Sequence, residues 1–129
     1  IITFKHNGYH KHSKGKQTYL RKISYNYKTT TVDISDNLSG SGKHFISMGF
    51  LIPKKYWKFQ AGNKMYRFYN ETEEFVINTN WKSVEIEDSW CSELFLNRTE
   101  AYKLVFKHDY MGKVPLSINI KIRKKKENE

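Results

Sequence analysis

The sequence holds one cysteine, only four arginines among 23 basic residues, and no long apolar run. A single cysteine closes no internal disulfide, so no oxidised framework supports the fold. Cys91, flanked by Trp90 and near Leu94 and Leu96, reads as a small buried hydrophobe rather than a nucleophile. No apolar stretch approaches the roughly 20 residues of a membrane-spanning helix. The first residues, from Ile1, show no basic, apolar and small-residue signal pattern. Recognisable catalytic motifs are also missing. There is no Gly-x-Ser-x-Gly elbow and no His-Glu-x-x-His pair. Ser39-Gly40-Ser41-Gly42-Lys43-His44 has the composition of a phosphate-binding loop, but Asn37 stands where the first glycine is required and His44 where Ser or Thr is. It reads as a flexible loop. His6, His10 and His12 cluster without a carboxylate and among lysines that repel cations, so they read as a solvated basic loop rather than a metal site. No cofactor is expected.

What the sequence does have is charge, unevenly spread. The net charge is +10. Residues 71–100 hold eight acids and two bases, a net −6, which leaves +16 on the remainder. Such asymmetry bears on association rather than on fold. The acidic segment suits a basic partner, or a second copy docked basic face to acidic face. The bases are mostly lysine, and Lys, Asn, Ile and Tyr all have AT-rich codons. Phosphate and base recognition favours arginine, so the charge is a weaker sign of nucleic acid than its size suggests.

Size and composition describe one folded domain over residues 1–129, with 38% hydrophobic and 16% aromatic residues. Alternation with period two recurs along it. From Leu116 to Arg123 every even residue is apolar and every odd one polar, the pattern of a strand with one wet face. Tyr102, Leu104 and Phe106 alternate in the same way, and 108–114, with Gly112 as turn residue, reads as the loop joining these two strands into a final antiparallel pair. Val84 and Ile86, Phe75 and Ile77, Ile46 to Ile52, and Val32 and Ile34 mark further strands. Tyr19 to Tyr25 pairs with the last of these through Asn26-Tyr27-Lys28. Residues 35–44 read as a turn-rich loop, 5–17 as a basic loop and 124–129 as a charged tail. The fold expected is an antiparallel β-sandwich of about seven to nine strands, immunoglobulin-like in architecture but lacking the Cys…Trp…Cys signature. The alternative is an α+β fold with one helix within 92–106, where helix formers concentrate. We favour two strands there, Ser92–Leu96 and Ala101–Phe106, around Asn97-Arg-Thr-Glu.

The best candidate site is the hairpin at 54–69, where bases and aromatics interleave around Ala61-Gly62-Asn63. If Trp57, Phe59, Tyr66 and Phe68 face the core, Tyr56, Lys58, Arg67 and Tyr69 form an exposed face able to stack on rings while attracting anions. The bland reading is an edge hairpin whose lysines guard against aggregation. Three Asn-x-Ser/Thr triplets, at Asn37, Asn70 and Asn97, carry little weight, since ten asparagines give about one or two by chance. The function expected is a non-enzymatic binding or adaptor module that engages a protein or anionic ligand through this face. The alternative is a nucleic-acid-binding protein using the same hairpin and the basic termini.

Overall fold

The alternation resolves into strands throughout. The computed structural model describes residues 2–6, 17–63, 65–94 and 97–124, and every regular element among them is a β-strand. These are β1 (Ile2–His6), β2 (Gln17–Asn26), β3 (Thr31–Pro53), β4 (Lys58–Ala61), β5 (Met65–Tyr69), β6 (Glu73–Thr79), β7 (Ser83–Leu94) and β8 (Asn97–Lys124). All pairings are antiparallel. The order is β1-β2-β3-β8-β6-β5-β4, with β7 also paired to β8. The eight strands form a β-sandwich of the immunoglobulin-like all-β class, and no helix occurs among the described residues.

Two long strands carry this arrangement. β3 and β8 run side by side, from Thr31 opposite Lys121 to Pro53 opposite Ala101. The register shifts once, between Gly40 opposite Gly112 and Lys43 opposite Met111. Gly42 and Gly112 both take left-handed backbone there, with φ of 79° and 78°, a conformation that a side chain would strain. A bulge with two glycines lets a twisted ribbon turn sharply without breaking its ladder. On one side of the bend, β2 and β1 extend the ribbon one way and β6, β5 and β4 the other, making a broad wing. Beyond the bend, β7 alone is added, along the β8 side.

The inner faces of the two wings meet. Phe59 and Phe68 of the broad wing lie 5.8 and 6.0 Å, ring to ring, from Tyr102 of the narrow one. Trp81, between β6 and β7, packs edge-on against Phe106 at 5.9 Å. On β8, Leu104, Phe106, Tyr110, Leu116 and Ile118 all point inward and are buried. Each such side chain contributes about 1.5–3 kcal/mol through removal from water. One charge sits in this core. Asp36 is 1% exposed and accepts hydrogen bonds from the Tyr19 hydroxyl (2.9 Å) and from Arg21 Nε (2.7 Å) and Nη2 (2.9 Å). Burial, and then the bond to Asp36, push the Tyr19 hydroxyl well above the ordinary tyrosine range. The same Arg21 reaches the Met48 sulfur on the other wing.

Several expectations are corrected here. Residues 35–44 are strand, not loop: Ile34, Asp36 and Leu38 keep one inward phase, and the Tyr19–Arg21 pair satisfies the charge that seemed to interrupt it. Residues 108–114 are also strand. His108, Tyr110, Gly112 and Val114 continue the phase of Phe106 into Leu116, and Tyr110 is buried. The segments expected to form a last hairpin are therefore two halves of β8, and each pairs with β3. The helix alternative over 92–106 gives way to β7 and β8, and Asn97 to Glu100, expected as the turn, already lie in β8. Lys5 and His6 belong to β1 and Gln17 to β2, while 7–16 and 125–129 lie outside the described residues. The β2–β3 and β4–β5 hairpins form where expected. Ile118 is 1% exposed on the strand that the alternation predicts, beside exposed Ser117. In urea unfolding, Ile118→Ala should cost about 2–5 kcal/mol and Ser117→Ala less than about 0.5 kcal/mol. Equal losses would mean that the register is wrong.

Candidate functional site

The outer face of the broad wing carries the candidate residues. Strand phase places odd residues of β5 and β8 and even residues of β4 and β6 on that face. Direct cross-strand partners then form two rows. One runs Lys58, Tyr69, Glu74, Arg123 and the next Gln60, Arg67, Val76, Lys121. Each row crosses four strands, a span of about 14 Å at the usual strand spacing. Beneath them the inner face is aromatic: Phe68 stacks on Phe75 at 4.9 Å, with Phe59 5.1 Å from Phe68 and Trp57 4.8 Å from Phe75. That floor fixes the four strands that present the rows.

Glu74 organises the site. Although it lies on the outer face, it is only 2% exposed. Arg67 Nε donates to one carboxylate oxygen and Arg123 Nε to the other. Arg67 also donates to Gln60 Oε1 at 3.3 Å, and its guanidinium carbon lies 4.2 Å from the centre of the Tyr69 ring. Burial by itself would raise the Glu74 carboxyl. The hydrogen bonds from Arg123 and Arg67, with their charges, outweigh it and hold that carboxyl below the usual glutamate range. The result is a carboxylate covered by two guanidiniums and flanked by exposed Lys58 and Lys121, four cations to one anion, with a tyrosine ring among them.

The sequence-predicted residues divide accordingly. Lys58, Arg67 and Tyr69 do share the outer face, in adjacent rows. Arg67 is half-buried and tied to Glu74 rather than a freely projecting charge. Tyr56 lies before β4, in the turn that follows β3, half exposed under the Lys55 ammonium at 4.8 Å. Its carbonyl accepts from Asn70 Nδ2 at 3.3 Å. The Asn70 Oδ1 in turn accepts the amides of Thr72 and Glu73, so this sequon asparagine shapes the β5–β6 turn. Phe68 is buried, and Trp57, Phe59 and Tyr66 pack against the core as expected. Glu74, Lys121 and Arg123 were missed, because only the pairing of β6 with β5 and β8 brings them in, and Gln60, within the hairpin, was not singled out. The one signal was the polar phase of Lys121 and Arg123 in the last alternation.

The acidic segment is also answered within the molecule. Glu74 pairs with Arg67 and Arg123, Glu85 with Lys107 (2.7 Å), and Asp88 with Lys54. Three of its eight acids thus meet bases elsewhere in the chain. Cys91 is half-buried, its Sγ 3.3 Å from Thr99 Oγ1. Residues 39–44 lie in β3 across the bulge. His10 and His12 lie outside the described residues, and among the described ones no three His, Cys, Asp or Glu gather as metal ligands. No described helix is long and apolar enough to cross a membrane. A cleft of about 420 Å³, lined by Thr18, Leu20, Asn37, Ser39, Lys113 and Pro115, opens at the far end of the same wing.

No known family pattern matches this chain, and no curated protein is similar to it in sequence. Solved structures do share its fold. A structure of heparinase III with methylated lysines superposes with a TM-score of 0.66 at 16% identity, over 91% of this chain and 20% of that one. A second heparinase III structure gives 0.59 at 17% identity, over 89% and 20%. A protein described as a kojibiose phosphorylase from the human microbiome gives 0.58 at 11% identity, over 91% and 17%. The chain spans about a fifth of the length of these structures, and the likeness is one of fold.

The Glu74 clamp makes a pH prediction. Its folded pKa lies below the unfolded value, which is about 4.3. Its contribution is therefore complete above that value and is lost as pH falls through the lowered one. Glu74→Gln should destabilise the protein by about 1–3 kcal/mol at neutral pH, and its stability should fall less steeply than that of the wild type in acid. Thermal unfolding from pH 7 to pH 2 tests this, and parallel curves would contradict it.

Proposed function

We propose that this chain is a non-enzymatic binding module whose outer face, centred on Tyr69, engages an anionic polymer. The observation that carries this reading is the convergence of Lys58, Arg67, Lys121 and Arg123 from three strands, β4, β5 and β8, around one ring and one internal carboxylate. Glu74 holds the two guanidiniums in place. The exposed lysine ammoniums on either side supply charge that a polyanion can neutralise, and the half-buried Tyr69 ring, with the Arg67 guanidinium over it, offers its remaining exposed surface to a sugar or a base. The likeness to heparinase III brings neither its activity nor its substrate here. It supports the sandwich as one part of larger chains, and it makes heparin, a sulfated polysaccharide, a reasonable first probe.

The test uses the two cations that do not hold Glu74. Lys58→Glu combined with Lys121→Glu should leave stability within about 0.5 kcal/mol, because exposed charges contribute little to folding. The same double variant should leave a heparin column at clearly lower salt than the wild type. Unchanged elution would refute the proposed face and move the charge effect to the other lysines. Binding of single-stranded DNA that survives to higher salt than binding of heparin would turn the reading to nucleic acid.

A further inference from the structure

The second half of β3 is an open sheet edge unlike the others. Residues 43–53 pair with β8 on one side only, and among the described residues no strand lies along the other. The remaining open edges are guarded in familiar ways. β1 is five residues long and carries Lys5, β4 is four residues long and begins with Lys58, and β7 carries Glu85, Glu87 and Asp88. Between Lys43 and Lys54, by contrast, eleven-residue pairing proceeds through ten residues without one Asp, Glu, Lys or Arg. On the outer face of this edge Phe45 is 67% exposed and Leu51 49%. On the inner face Ile46, Met48 and Phe50 are only half-buried, although they pack on the core.

We infer that this edge pairs with the same edge of a second copy, antiparallel, about a two-fold axis at Met48. Such an axis stands normal to the sheet, so outer faces stay outer and only registers of even residue sum are allowed. With Met48 opposite itself, Phe45 of each copy faces Leu51 of the other, Ile46 faces Phe50, and Ser47 faces Gly49. Every exposed apolar residue of the edge then meets an apolar partner. Moving the axis one residue either way sets Phe45 against Gly49 with Leu51 against Lys43, or Phe45 against Pro53 with Leu51 against Ser47. The sequence of the edge is complementary to itself in one register, which is what selects a second copy as its occupant. The union makes a continuous six-stranded sheet from two narrow wings and leaves the Tyr69 face of each copy open. It differs from docking of a basic face on the acidic segment, since its contacts are backbone hydrogen bonds and apolar pairs.

Cysteine pairing tests both the contact and its register. In a Cys91→Ser background, Phe45→Cys and Leu51→Cys are made separately, each at an exposed position. Mixed under mild oxidation, they should give a disulfide-linked dimer containing one of each. Each variant alone should not, because two copies of the same residue would lie about 20 Å apart along the strands, far beyond the 4.4–6.8 Å between Cα atoms that a disulfide allows. Sedimentation of the wild type should give twice the monomer mass at micromolar concentration, unchanged in 1 M salt. Phe45→Lys with Leu51→Lys should reduce it to the monomer with an unaltered circular dichroism spectrum. A monomeric wild type overturns the inference. So does cross-linking as efficient in each variant alone as in the mixture. A dimer that dissolves in salt or survives the double lysine change also overturns it, and would place the interface on the charged surfaces instead.

Discussion

The antiparallel ladder between β3 and β8 is the constraint on which the rest of the structure depends. It alone runs through both wings, and each other strand is attached, directly or through a neighbour, to one half of it. Its residues lie tens of positions apart in sequence, so it closes a large loop before any of its contacts form. Such non-local pairing is slow to fold. Once made, it fixes the phase of β8, and through β8 the rows on β6 and β5. The bend at Gly42 and Gly112 lets one sheet supply both layers of its own sandwich, with Tyr102 of one half facing Phe59 and Phe68 of the other.

The scarce arginines acquire a meaning in this setting. Arg21 holds the buried Asp36, and Arg67 and Arg123 hold the buried Glu74. Arg98 lies over the ring of Trp90, its guanidinium carbon 5.5 Å from the ring centre. Asp36 and Glu74 are the buried carboxylates among the described residues. A carboxylate removed from water needs a partner that stays charged and can offer several fixed donors, which is the particular strength of the guanidinium. Lysine, with a compact and strongly hydrated charge, is left on the surface. In this protein arginine is a structural residue, and the charge available to a ligand comes chiefly from lysine. The lysine-rich composition that weakened the case for specific base recognition therefore suits a less selective contact with a polyanion.

Much of the fold was legible in the sequence because period-two alternation is a local signal. It marked the strand at 116–123, the hairpins at Asn26-Tyr27-Lys28 and at Ala61-Gly62-Asn63, and the all-β class. It failed where an inward position was filled by a residue that does not look like core. Asp36, His108 and Gly112 each occupy such a position, and each made a continuous strand read as a loop. What legitimises them is supplied by distant parts of the chain: Tyr19 and Arg21 for Asp36, the Lys82 amide donating to His108 Nδ1, and the bulge in β3 for Gly112. The candidate site was half legible for the same reason. A hairpin is local, so Lys58, Arg67 and Tyr69 could be placed on one face. Glu74, Lys121 and Arg123 join them only through pairing across β6 and β8, which no local pattern states.

That β8 is one uninterrupted strand is the central claim, and amide hydrogen exchange measured residue by residue tests it most directly. If the ladder continues through the bend, amides of 108–114 that point to β3 should be protected to within about an order of magnitude of those at 104–106 and 116–118, all opening with the same cooperative unit. Exchange of the whole 108–114 segment at the rate of an exposed loop, between two protected flanks, would contradict the account and restore a separate terminal hairpin.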